Sequence, residues 1–152
     1  METTTLEPIL AEHPFFQGLA PEYLKLLVSC AANVRYKANE MIIRAGQEAV
    51  HFFLLRHGEA YVEIHDPRHR HVVIHKLHEG DVFGWSWMLP PYKAHFDVRA
   101  NTLVRAISLD GKCLREKFDT DNSLGYQMLL RFTPLIVQRF ERTSLQLLDV
   151  YS

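Results

Sequence analysis

Between Val34 and Ile107 the chain is a series of short apolar runs, each cut off by a turn signal. Val34, Tyr36 and Ala38 alternate with Arg35 and Lys37, the period of a half-exposed strand. Asn39-Glu40 turns the chain into a short strand, Met41-Ile42-Ile43, and Ala45-Gly46-Gln47-Glu48 turns it again. Phe52 to Leu55 is a wholly apolar strand, and His57-Gly58-Glu59 returns it into Ala60 to Ile64. A polar tip from His65 to Arg70 holds the turn signal Asp66-Pro67 and leads to Val72-Val73-Ile74. Leu103 to Ile107 is the last strand. Short strands punctuated in this way predict a β-sandwich or a jelly-roll barrel.

Helical signals flank this region. Leu6 to Leu10 reads as a short turn capped by Thr5. His13 to Leu19, HPFFQGL, is an aromatic turn whose phenylalanines plug one end of the core. Pro21 suits a first helical position, and Tyr23, Leu24, Leu26, Leu27 and Cys30 continue at helical spacing. After the strands, Asp110 is placed to cap a short helix from Lys112 to Phe118. A long helix then runs from Asn122 to about Asp149, with Pro134 expected to kink or split it and Thr133 to cap the second half. Its apolar residues cover more than one face, so it needs two surfaces to bury against. One is its own barrel, and the other is the same helix of a second subunit in a two-fold homodimer. The expected organisation is one domain over 1–152, with a barrel at about 32–109 and C-terminal helices at about 110–149.

The stretch Asp81 to Ala100, DVFGWSWMLPPYKAHFDVRA, departs from the pattern. Gly84 follows the strand end Val82-Phe83 and permits backbone geometry closed to other residues. A short apolar turn, Trp85 to Leu89, is stopped by Pro90-Pro91, and a return strand begins at about His95. A glycine turn, one helical turn and a return strand make an anion-cradling shape; the same pattern also suits a buried connection with the tryptophans as core.

Composition narrows the function classes. The 152 residues carry a formal charge of −1, which gives no basic excess to drive nucleic-acid binding. No stretch approaches the roughly 20 apolar residues of a membrane span, and the N-terminus METTTLEP lacks the basic and apolar regions of a secretory signal. Cys30 and Cys113 are far apart and outside any C-x-x-C spacing, which fits two reduced, buried side chains in a cytoplasmic protein.

The segment His13 to Leu19 and the pattern Ile42-Ile43-Arg44-Ala45-Gly46-Gln47-Glu48, Phe52 to Leu55, Gly58 resemble the cyclic-nucleotide-binding domain of the bacterial catabolite-activator and fumarate–nitrate-regulator (Crp/Fnr) family. The resemblance covers nearly the whole chain. It implies an eight-stranded jelly roll (a double-stranded β-helix), mainly β with short N-terminal helices and a long C-terminal dimerisation helix. It also implies a phosphate-binding cassette, roughly F-G-E-x-A-L, a gap, then R-S-A-x-V-x-A. In the family the glutamate takes the ribose 2′-hydroxyl and the arginine takes the cyclic phosphate.

Here Phe83-Gly84 is kept, but Trp85 stands where the glutamate belongs. Phe96-Asp97-Val98-Arg99-Ala100 lines up with the tail, which places Ala94 and His95 where arginine and serine belong. Losing a charge-assisted pair to a buried phosphate costs about 2–5 kcal/mol. That is enough to move a micromolar ligand to the millimolar range. Lys93 is one residue off and lacks the guanidinium fork. Trp85 would fill ribose space. The expectation is no useful cyclic AMP or cyclic GMP binding, with Gly84, Trp85, Ser86, Trp87, Lys93, His95 and Arg99 lining or bordering an altered pocket. Whole sensors of the family carry a helix-turn-helix after the long helix; the sequence stops at Ser152, so direct DNA binding is not expected.

Five histidines, His65, His69, His71, His75 and His78, crowd one hairpin. His69-x-His71 on a strand would point both rings to one face, as a metal needs, but no glutamate follows at the spacing of a cupin enzyme. They are read as solvated surface, and no metal, haem, iron–sulfur cluster or other cofactor is expected. Asp97 and Glu79 near His95 and His78 have no spacing that favours acid–base work, and no enzyme is expected. Four readings remain: a dimeric sensor or regulatory module for another small ligand or a partner protein; an interaction module whose pocket its own tryptophans fill; a cyclic nucleotide binder that uses Lys93 or Arg99; and a metal-dependent cupin-like enzyme, which stoichiometric metal in the purified protein would revive.

Overall fold

The computed structural model describes residues 2–68 and 70–151, with side chains from Leu6 onward. Helix α1 spans Glu2–Glu12 and α2 spans Pro21–Val28, with a 3-10 turn at Pro14–Phe16 between them. Eight strands follow: β1 Ala31–Tyr36, β2 Met41–Ile43, β3 His51–His57, β4 Ala60–His65, β5 His71–Leu77, β6 Val82–Phe83, β7 Asp97–Ala100 and β8 Val104–Asp110. A second 3-10 turn, Ser86–Met88, lies between β6 and β7. Helices α3 (Gly111–Thr120) and α4 (Asn122–Tyr151) close the chain.

The strands form two antiparallel four-stranded sheets, β1-β8-β3-β6 and β2-β7-β4-β5, so the expected jelly-roll architecture is what the chain adopts. Alternation along the strands divides the core in two. Phe53 and Leu55 of β3 meet Val62 of β4, Val98 of β7 and Phe83 of β6 between the sheets. Phe52 and Leu54 point the other way, into a helix-side cluster with Leu10, Phe16, Leu27, Leu124 and Phe132. The phenylalanines of the His13 turn do plug this core: Phe15 packs 5.2 Å from Phe132 and 5.3 Å from Phe52 between ring centroids.

Several boundaries differ from the sequence expectation. Helix α1 begins at Glu2, so Thr5 lies inside it rather than ahead of it. Strand β1 starts at Ala31, three residues before the alternation becomes visible, because Ala31 pairs with Leu109 of β8 while Ala32 and Asn33 are both exposed. Strand β7 starts at Asp97, not at His95. Asp110 caps α3 as expected, its Oδ1 accepting from the Cys113 N–H at 2.9 Å.

Two larger differences concern long-range structure. Cys30 and Cys113 are joined in a disulfide that ties the chain ahead of β1 to α3, 83 residues later, where two reduced thiols were expected. Helix α4 is continuous through Pro134. Thr133 caps nothing; its hydroxyl donates to the Leu129 carbonyl one turn back at 2.7 Å. Anchors on both sides of the proline hold the helix to the barrel. Arg131 donates to the carbonyls of Phe15 (3.0 Å) and Gln17 (2.9 Å), and Gln146 donates to that of Ile74 (2.9 Å).

Candidate functional site: the cassette between β6 and β7

The connection between β6 and β7, the proposed cradle, holds the three parts that its sequence suggests: a glycine at positive φ, the 3-10 turn Ser86–Met88 and the return strand β7. Gly84 has φ +81°, and a Cβ there would lie 3.0 Å from the His51 carbonyl and 3.1 Å from Ile43 Cδ1. Only glycine fits both the backbone and the space. The far side of the cradle is laced to the turn after β2: the Gly46 N–H donates to the Ala94 carbonyl (2.8 Å), and the Ala94 N–H to the Gln47 carbonyl (2.9 Å). Pro90-Pro91 is a cis peptide, and Tyr92 has a left-handed φ of 57°. The Arg115 guanidinium stacks on the Tyr92 ring at 4.2 Å and donates to the Trp87 carbonyl.

The two tryptophans leave the cradle. Trp87 is fully buried in the helix-side core, within 6.2 Å of Phe52, Phe118 and Phe132 between ring centroids. Its indole N–H donates to the Gly84 carbonyl at 2.7 Å, which satisfies a buried polar atom and braces the turn. A Cβ at Gly111 would lie 2.6 Å from Trp87, so α3 approaches this ring as closely as a glycine allows. Trp85 is half-buried on the same helix side, where the Arg139 guanidinium of α4 lies 4.5 Å from its ring. The ring packs against the helix-side cluster and not against the cluster between the sheets. Arg139 also donates to the Val82 carbonyl. Burial lowers the Arg139 pKa to about 10, which leaves it charged at neutral pH.

Arg99 is committed elsewhere. Val98 and Ala100 face the space between the sheets, so Arg99 faces out. There its Nε and Nη2 make a two-pronged contact with the buried Glu63 at 3.1 and 3.0 Å, and Nη1 reaches Asn39 Oδ1 at 3.2 Å. The hydrogen bonds to Glu63 raise the Arg99 pKa further. Lys93 and His95 are exposed, Lys93 in a bridge to Glu48 through the backbone, and Ser86 is half-buried. Thus Gly84, Ser86, Lys93 and His95 lie along the β6–β7 connection with Lys93 and His95 exposed, while Trp85 and Trp87 pack on the helix side and Arg99 pairs with Glu63. Sequence reasoning missed Arg115 and Arg139; both sit in helices where an arginine reads as ordinary surface.

The histidines also find partners that differ from those weighed in sequence. Glu79 lies 3.3 Å from His57, and His78 lies 3.6 Å from Glu59, so neither forms the Glu79–His78 pair. Asp97 faces His65 at 3.7 Å rather than His95. His69 lies outside the described residues.

Residues 33–121 match the family model described as the cyclic nucleotide-binding domain. The chain belongs to this family. No functionally curated protein matches it. Among solved structures, a cyclic nucleotide-binding domain from Methylobacillus flagellatus is 18% identical with a TM-score of 0.79, over 97% of this chain and 83% of that one. The sensor domain of the transcriptional regulator DNR from Pseudomonas aeruginosa is 17% identical with a TM-score of 0.73, over 93% and 95%. The regulatory subunit of a cAMP-independent protein kinase A from Trypanosoma cruzi, bound to guanosine, is 22% identical with a TM-score of 0.64, over 86% and 51%. At these identities the likeness concerns the fold. Within it, Trp85 stands where the family's glutamate belongs, and Ala94 where its arginine belongs.

Proposed function

We propose that the chain is a regulatory sensor module that does not bind cyclic AMP or cyclic GMP in the family's usual way and reads another small ligand or a partner protein. The observation that carries this reading is the pairing of Arg99 with Glu63 on the outer face of its sheet. The arginine nearest in sequence to the cassette's expected position is neither free nor aimed inward. Releasing it would strand a buried carboxylate, and breaking a buried pair costs about 3–5 kcal/mol. Lys93 offers a point charge without bidentate geometry. The tryptophans contribute to packing and not to a filled pocket, which weighs against the self-filled alternative. A likeness to a cAMP-independent regulator holding guanosine, a nucleoside without phosphate, suits a cradle without its arginine.

The module acts as a homodimer through α4. Tyr126, Leu130, Val137, Phe140, Leu147 and Tyr151 are all exposed and recur at three-, four- and seven-residue steps, the spacing of a coiled-coil seam. A thermal-shift comparison of cyclic AMP, cyclic GMP and guanosine tests the ligand reading. The expected outcome is no stabilisation by either cyclic nucleotide at millimolar concentration; a clear rise in melting temperature with cyclic AMP would favour the alternative in which Lys93 holds the phosphate.

A further inference from the structure

We propose that His65, His71 and Asp97 form a binding site for one divalent transition-metal ion of the zinc class. His65 ends β4 and His71 opens β5, and the two stand directly opposite each other in the antiparallel ladder. Directly opposed residues project to the same face of the sheet. Asp97 opens β7 on the other flank of β4. Three neighbouring strands therefore deliver two imidazoles and a carboxylate to one spot on the outer face.

Their ligand atoms all lie within 4.8 Å of one another. His65 Nδ1 is 3.7 Å from Asp97 Oδ2, and the two imidazole centroids are 4.2 Å apart. A tetrahedral zinc with bonds of about 2.0–2.1 Å holds its donor atoms about 3.4 Å apart. Both imidazoles are exposed, so solvent and an ion reach them.

The carboxylate is already positioned. Asp97 is only 9% exposed, and its Oδ1 accepts from the Ala45 N–H at 2.8 Å. That bond leaves Oδ2 directed at His65, the kind of supporting contact that orients a metal ligand. The neighbouring charges are already paired: Glu63 with Arg99, and Asp66 with Arg70 at 2.8 Å. Two nitrogen donors and one oxygen suit zinc, nickel or copper(II) and not magnesium or calcium, and three protein ligands leave a fourth position for water. The ion would join the tip of the β4–β5 hairpin to the return strand of the cassette and to the Ala45 turn. His65, His71 and Asp97 are not among the residues assigned to the cradle, so metal binding is tested without a cradle ligand.

The test is titration of the chelator-treated chain with Co2+, followed by visible absorption, and with Zn2+, followed by calorimetry. The expected result is one ion per chain at micromolar or tighter affinity, with ligand-field bands of a four- or five-coordinate Co2+. H65A, H71A and D97N should each weaken binding at least ~10-fold, while H57A and H78A leave it unchanged. The His65 and His71 side chains are exposed, so H65A and H71A test the site without disturbing the core. Binding no tighter than millimolar, binding retained in the H65A/H71A double variant, or binding lost through H69A with H65A neutral would each overturn the proposal.

Discussion

Arg99 and Arg139 lie near opposite ends of the cassette, and both are spoken for. Arg99 is held by Glu63 and Asn39, Arg139 by the Val82 carbonyl and the face of Trp85. Arg139 stays charged in a half-buried place because the ring and the carbonyl replace water around it. Its replacement by alanine removes both contacts and exposes Trp85. The expected loss is about 1–3 kcal/mol in urea unfolding, with a red shift in tryptophan emission. His13 is the second residue that organises its surroundings. Its Nδ1 accepts from the Phe15 N–H at 3.2 Å and its Nε2 faces the Leu55 carbonyl at 3.3 Å, an arrangement that suits the neutral ring with its proton on Nε2. Burial lowers the pKa of His13, and burial with Arg139 and Arg142 nearby lowers that of His75. Both therefore resist protonation in the folded state. Their contribution to stability is intact above about pH 6.5, where the unfolded rings are neutral, and is lost as pH falls through the lowered folded values. Urea midpoints at successive pH values should fall on the acid side, and H75Q should flatten part of that slope.

Elements show which parts of the chain speak for themselves. The strands, the Asp110 cap and the glycine turn at Gly84 were legible because their signals are local: period-two alternation, a carboxylate ahead of a helix, a residue free at positive φ. Trp85 and Trp87 were not. Nothing within the stretch tells which side of the sheet a ring will take, and the answer depends on Arg139, Phe118 and Phe132 far along the chain. Pro134 misled for a related reason. Its local rule breaks helices, yet α4 is pinned to the barrel before and after it by Arg131 and Gln146. The Cys30–Cys113 link is likewise a product of tertiary approach, with Cα atoms 5.7 Å apart. Its removal in C30S/C113S should cost about 2–5 kcal/mol, read as a lower urea midpoint for the variant than for the oxidised chain. At the seam of α4, Phe140 is 72% exposed, so F140E leaves the subunit's own core untouched. Sedimentation should show dimers for the parent chain and monomers for the variant; a parent chain that sediments as a monomer would remove the dimer from the account.

For the whole molecule, the family barrel is kept, and the proposed function has it without the usual means of reading a cyclic phosphate. Both the sheets and the helices contribute to that outcome. The sheets bind Arg99 to Glu63, and the helices pack against Trp85 and Trp87. A pocket without the arginine forfeits about 2–5 kcal/mol toward a phosphate, a loss that one lysine at a neighbouring position does not restore. The most direct measurement is a calorimetric titration of the oxidised chain with cyclic AMP. The expected result is no saturable heat, or a dissociation constant in the millimolar range or weaker. Saturable binding at submillimolar or tighter affinity would contradict it, and would mean that the cassette reads the phosphate by a route other than a free arginine.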